Sequence, residues 1–298
     1  MDEKKLELLK QKAYKLMENQ NYCEAVEIYN EIYLKENSFK NNYSLFHALM
    51  KNQEYSKGLE IAFEYLKKYI QNDLALYELF DAYLYSGDIF DAFILFYEIK
   101  DFANHDEQKI IEEKLTNYNK YLSKEQQIKK DEVIKKIKYA GFFNDKEQLD
   151  ILNDIKILNP TELQVNVKNA LIDPNTNEVF RISILDALSK VNNSEVECLG
   201  INGEIRNFDL NQLKKIKKST ELKSKILLKI DELYPDITDE NRNQLITEVF
   251  LKVIILLTSC NFDFSEYIKI IFTPNEFLNG KQRELAEKIE KIFEKRYF

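Results

Sequence analysis

Asn21-Tyr22-Cys23-Glu24-Ala25-Val26-Glu27-Ile28-Tyr29, Glu54-Tyr55-Ser56-Lys57-Gly58-Leu59-Glu60-Ile61-Ala62 and Asp88-Ile89-Phe90-Asp91-Ala92-Phe93-Ile94-Leu95-Phe96 read as three versions of one stretch. The small residues Ala25, Gly58 and Ala92 recur at spacings of 33 and 34, and so do Tyr22, Tyr55 and Ile89. Upstream, Ala13, Phe46 and Phe80 occupy equivalent positions, and Leu16, Leu49 and Tyr83 form a second equivalent set. Polar turns separate the two halves of each unit: Glu18-Asn19-Gln20-Asn21, Lys51-Asn52-Gln53-Glu54 and Ser86-Gly87-Asp88. Each unit therefore reads as helix, short turn, helix. The small residue lets the neighbouring helix approach closely. Residues four and seven positions later (Tyr29 and Ile32, Ala62 and Tyr65, Phe96 and Ile99) fill the next layer. Such units bury their apolar faces mainly against their neighbours in a stack.

The pattern resembles the tetratricopeptide repeat, whose period is about 34 residues. The resemblance covers residues 6–105, a third of the chain. Gly87, Tyr22 and Tyr55 fit the turn pattern of that family. Its frequent Trp near the start of the first helix is replaced by Leu9 and Leu76, and Asn37 stands where its proline would follow the second helix. As a whole the chain is similar to uncharacterised bacterial tetratricopeptide proteins, whose superfamily supplies adaptors, scaffolds and co-chaperones. The resemblance implies a right-handed α-α superhelix with the first helix of each unit on its concave face. Repeat one should present Glu7, Lys10, Tyr14, Met17 and Glu18 there. Repeat two should present Lys40, Tyr43, His47, Met50 and Lys51, and repeat three Leu74, Tyr77, Asp81, Leu84 and Tyr85. Tyrosine gives large contact area at low entropy cost and methionine adapts to varied shapes, so a peptide or helix groove is expected. Some members clamp an acidic C-terminal peptide with Lys, Asn, Asn, Lys and Arg. The matching positions here hold Lys10, Tyr14, Ser44, Leu74 and Glu78. Only Lys10 agrees, and Glu78 would repel a carboxylate, so a clamp of that kind is not expected.

Composition agrees with a helical chain. Of 298 residues, 44% are apolar and 32% charged, with only six glycines and four prolines. This excludes disordered and collagenous polymers, and a net charge of −8 argues against a general nucleic-acid coat. Fourteen of the 18 tyrosines lie in residues 1–122, and most of the net negative charge lies there too. A join near 105–125 follows, with domains at 1–122 and 123–298. The polar start lacks the apolar core of a secretory signal, and the most apolar run, Val249 to Leu257, is too short to span a bilayer. Cys23, Cys198 and Cys260 are scattered and odd in number, which fits buried free thiols in a cytoplasmic protein without metal or disulfide.

The second part reads as helices at 106–139, 146–157, 161–172, 240–258, 262–272 and 284–293. Ala170 to Arg181 contains Asp173-Pro174 followed by Val179 and Arg181, similar to a HEAT-type turn. Asp173, Asn175 and Asn177 alternate as in a calcium loop, but Glu178 and Ile184 replace its glycine and its final glutamate, so no calcium is expected. Asn202-Gly203 between apolar-containing runs predicts a β-hairpin near 196–208. It reads as a structural flap, or as a strand edge offered to a partner.

Seven lysines crowd the next stretch: Lys214, Lys215, Lys217, Lys218, Lys223, Lys225 and Lys229. At helical spacing they form a solvated face, or a basic patch for RNA, a ribosome or an acidic partner. No aromatic residue interleaves with them, which weakens a base-stacking reading. Only two histidines, His47 and His105, are present, and no phosphate loop, dinucleotide turn or hydrolase motif. The expectation is an all-α, non-catalytic protein without cofactor: a protein-interaction module acting through the repeat groove, with a ribosome- or RNA-associated factor as the alternative.

Overall fold

The structure is a computed structural model that describes residues 3–192, 194–260 and 262–294. It is an all-α protein, 78% helical, with 18 α-helices and one two-stranded antiparallel sheet among the described residues. Two compact units divide it. The first runs to Asp131 and takes in Lys156–Asn159; the second comprises Glu132–Ile155 and the rest of the chain from Pro160.

The first unit holds α1 (Glu3–Glu18), α2 (Tyr22–Lys35), α3 (Phe39–Lys51), α4 (Tyr55–Phe63), α5 (Leu66–Ile70), α6 (Asp73–Ser86), α7 (Ile89–Ile99) and α8 (His105–Thr116). The unit boundary falls within α9 (Lys124–Lys138). Successive helices pack on each other, and α3, α6 and α8 also touch in turn. The turns α1–α2, α3–α4 and α6–α7 share one geometry. Gln20 (φ 58°), Gln53 (φ 60°) and Gly87 (φ 84°) all lie in the left-handed region. The next amide in each case bonds a carbonyl five residues back: Asn21 to Leu16 at 2.9 Å, Glu54 to Leu49 at 3.0 Å, Asp88 to Tyr83 at 3.0 Å. This six-to-one bond satisfies a carbonyl that the helix end would otherwise orphan. Side-chain caps start the first helices that follow: Ser38 for α3, Asn72 for α6, and Asn104 in a reciprocal capping box with Glu107 for α8.

Ala13, Ala25, Ala62, Ala75, Ala82 and Ala92 are fully buried, as are Phe46 and Phe80. A Cβ built on Gly58 would stand 3.4 Å from the Phe46 ring, an ordinary contact, so an alanine fits there as at the equivalent Ala25 and Ala92. One feature departs from the sequence expectation. The second helix of repeat two breaks at Glu64-Tyr65, where the Lys68 and Tyr69 amides turn back to the Tyr65 carbonyl. The break carries Tyr69, fully buried, to Asn42. The Tyr69 hydroxyl donates to Asn42 Oδ1 at 2.9 Å, and Asn42 Nδ2 donates to the Ile61 carbonyl at 2.8 Å and to the Tyr33 hydroxyl at 3.2 Å. Tyr33 in turn donates to the Glu64 carboxylate. A buried amide is stable there because its groups find partners.

The second unit continues with α10 (Asp145–Asp154), α11 (Pro160–Asn166), α12 (Lys168–Ile172) and α13 (Glu178–Val191), so the expected helix at 161–172 is two short ones. The loop that begins like a calcium site is closed by an arginine. Arg181 is 2% exposed, and its Nη2 donates to the carbonyls of Asp173 at 2.8 Å and Thr176 at 3.0 Å. Its Nη1 donates to Glu178 Oε1 at 2.9 Å. Gln148 fastens the same loop, donating to the Asn175 carbonyl at 3.1 Å and accepting from the Asn177 amide at 2.7 Å.

The hairpin pairs β1 (Glu195–Leu199) with β2 (Ile205–Asp209), Val196 opposite Phe208 and Leu199 opposite Ile205. Its connection is five residues long rather than a two-residue Asn-Gly turn. Gly203 takes φ 84°, and the Gly200 amide bonds the Glu204 carbonyl at 2.9 Å. Cys198 and Phe208 anchor the hairpin inward, both fully buried. The helices that follow are α14 (Leu210–Lys218), α15 (Thr220–Leu233), α16 (Asp239–Ser259), α17 (Phe264–Phe272) and α18 (Gly280–Glu294). Of the helix expected to be most buried, only the half from Val249 is buried. No single described helix is long and apolar enough to cross a membrane. Cys198 and Cys260 are buried free thiols, but Cys23 is exposed, because position two of α2 faces outward.

Candidate protein-interaction site

The residues expected on the face lie on α1, α3 and α6. On α1, Lys10 pairs with Glu36 at 2.7 Å, Tyr14 is 60% exposed, and Met17 is half-buried. A hydrogen bond to Glu18 raises the Tyr14 pKa, with the charge of that carboxylate adding to it. The α1 members are held by contacts within the first hairpin.

The members on α3 and α6 meet directly. His47 Nδ1 lies 2.8 Å from Glu78 Oε1. The Tyr43 ring stacks between Phe39 and Phe46, at 6.2 Å from each, and stands 6.4 Å from the His47 ring. Burial, then the adjacent Glu78 charge, raises the Tyr43 pKa. Burial alone would lift the Glu78 carboxyl; the hydrogen bond and charge of His47, helped by Tyr43 and Lys51, outweigh it and hold the group below the usual carboxylate range. Glu78 Oε2 is buried without a hydrogen-bond partner among the described residues. Met50 and Tyr77 pack partly buried against the main core of the unit, while Lys51 is exposed. Leu84 is fully buried and belongs to the core, so it leaves the face.

Further along, Asp81 forms an ion pair with Lys114 of α8. Tyr85 stacks on Tyr55 at 4.9 Å and meets Tyr121 edge-on at 4.9 Å. Burial, reinforced by the Asp81 charge, pushes the Tyr121 hydroxyl up to about 12. Tyr85, Tyr121, Ile110, Lys114, Asn117 and Lys120 line a hollow of about 440 Å³, with Glu113 beside them. Its walls combine aromatic faces, two ammonium groups and an amide, a set that suits a peptide side chain with its backbone.

Tyr43, His47, Asp81 and Tyr85 are among the residues expected from the sequence, and Tyr55, Lys114, Lys120 and Tyr121, which stack on, pair with or adjoin them, are not. The helix that carries Lys114 lies in the stretch 106–139 expected to be helical, and its cap Asn104 stands 32 residues after Asn72. Glu78 was noticed only as a mismatch to an acidic-peptide clamp, and it proves to be the partner of His47.

The seven lysines of the alternative patch divide between α14 and α15. Lys217 pairs with Asp186, Lys225 with Glu221 at 2.9 Å, and Lys229 with Glu232 at 2.6 Å. Lys215, Lys218 and Lys223 are exposed, and Lys214 is half-buried. Among the described residues no cluster of three His, Cys, Asp or Glu side chains is arranged to hold a metal. No protein-family model, curated protein or solved structure matches the chain.

Proposed function

We propose that the first unit is a tetratricopeptide-like, right-handed superhelix, and that the protein is a non-catalytic cytosolic adaptor binding a peptide or helix on its concave face. The observation that carries this is the row of aromatic and apolar side chains left exposed on the first helices of a well-filled stack. Tyr14 is 60%, Leu74 71% and Tyr85 39% exposed, while their neighbours Ala13, Ala75 and Leu84 are fully buried. The repeated left-handed turn at Gln20, Gln53 and Gly87 supports the repeat architecture. The hollow beside Tyr85 gives the row a pocket for an anchoring side chain.

A tagged pull-down from native cytosol, crosslinked and repeated with nuclease, tests the reading. Tyr14→Ala plus Leu74→Ala is the informative variant, since both side chains are mostly exposed, at 60% and 71%, and their loss leaves the core intact. Tyr43 is unsuitable, because it packs on Phe39 and Phe46. The adaptor reading expects a discrete protein partner that survives nuclease and is lost with the double variant. Ribosomal proteins that vanish with nuclease would instead favour the lysine-rich α14–α15 segment, whose exposed Lys215, Lys218 and Lys223 would then carry a steep salt dependence.

A further inference from the structure

The second unit has an apolar trough that the adaptor reading does not use. α15 and α17 lie against each other, and a hollow of about 400 Å³ runs between them. Leu228, Leu233, Ile268 and Phe272 line it, and Lys225, Lys229 and Lys269 stand around them. No carboxylate is among the lining residues, in a chain whose net charge is −8. Leu228 is 69% and Leu233 47% exposed, more than a buried contact within the unit would leave them. The carboxylates that pair with Lys225 and Lys229, Glu221 and Glu232, are 65% and 64% exposed and stand one helical turn away on the same helix. Exposed pairs at that spacing hold little energy, so an incoming carboxylate can replace them.

We propose that this trough docks an acidic amphipathic helix of a protein partner. Apolar side chains at i and i+4 of that helix enter between Leu228 and Phe272, and its flanking Asp and Glu meet the three lysines. Charge complementarity selects the acidic partner, since three lysines edge the trough and only two exposed carboxylates, Glu221 and Glu232, stand beside them. The open flank at Leu228 selects a ridge of side chains over a single acyl chain, which needs enclosure on all sides to leave water.

The test is selection from a displayed library of helices with Leu fixed at i, i+4 and i+7 and Asp, Glu, Lys or Ser randomised at the flanks. The full-length protein and its Leu228→Asp variant serve as baits. Leu228 is exposed, so the variant keeps the fold, which circular dichroism checks. Acidic flanks should be enriched on the native protein, and the selected helix should lose about tenfold or more in affinity on Leu228→Asp. A Lys225→Glu, Lys229→Glu, Lys269→Glu variant should select lysine-rich flanks instead. Equal enrichment of acidic and basic flanks, or equal binding to Leu228→Asp, would overturn the proposal. So would Leu228-dependent sedimentation with phosphatidylserine vesicles when no helix is selected.

Discussion

Gln20 and Gln53 hold the backbone conformation that Gly87 adopts without a Cβ penalty. A left-handed residue with a side chain costs roughly 1–2 kcal/mol, and the extra freedom of glycine in the unfolded chain returns part of it. Gln53→Gly should therefore stabilise the protein by about 0.5–1 kcal/mol in urea unfolding. Gly87→Ala should destabilise it by about 1 kcal/mol or more. A destabilised Gln53→Gly, or a Gly87→Ala without loss, would show that the three turns are not equivalent. Asn42 is the other residue on which much depends. Removing its amide leaves the Tyr69 hydroxyl buried without a partner and the Ile61 carbonyl with only the Glu64 amide, 3.4 Å away. Asn42→Ala should cost about 2–3 kcal/mol, and a loss below about 0.5 kcal/mol would refute the network. Nothing in the sequence distinguishes Asn42 from the surface asparagines around it, because its partners lie 9 to 27 residues away.

At the scale of elements, periodicity disclosed the hairpins because small residues recur where helices touch. Ala25, Gly58 and Ala92 each sit buried at a contact. The break between α4 and α5 was not legible, since no Gly or Pro marks it. It is made by tertiary demand, the burial of Tyr69 against Asn42. The hairpin was legible from Asn202-Gly203, but its loop length was not. The Ile201 amide is claimed by Ser259 Oγ at 2.8 Å, a partner 58 residues away. The α12–α13 connection is fastened by two side chains, Arg181 and Gln148, of which Arg181 is the one buried within the loop itself. Arg181→Met should cost about 2–4 kcal/mol and raise hydrogen exchange across 173–177. Arg181→Lys should recover only part of this, because one ammonium cannot serve two carbonyls and Glu178 as the planar fork does. Full recovery by lysine would show that charge alone holds the loop.

Across the whole molecule, burial raises a set of groups that are neutral when protonated. The Cys198 thiol rises from 9.0 to about 11, and the Tyr121 hydroxyl from 10.0 to about 12. Burial raises Tyr69 and Tyr83 further still. The folded state holds these protons more tightly than the unfolded chain. Their stabilisation is full below the ordinary values and is lost as pH climbs through the raised ones. The melting temperature should therefore fall steadily between pH 9 and pH 12, and a flat profile there would contradict the burial of these groups. Glu78 acts in the opposite sense. Its lowered pKa adds stability above the ordinary carboxylate range that disappears as acid protonates it.

The central claim is that the first helices of the first unit form a peptide-binding face. The most direct measurement places a photo-crosslinking phenylalanine analogue at position 85 in one protein and at position 97 in another. Tyr85 and Tyr97 are similarly exposed, at 39% and 38%, but Tyr85 lines the hollow and Tyr97 belongs to the second helix of its hairpin. The account predicts a single protein adduct from position 85 that a Lys120→Glu change in the same hollow diminishes, and none from position 97. Adducts of equal yield from both positions, or none from position 85, would contradict it.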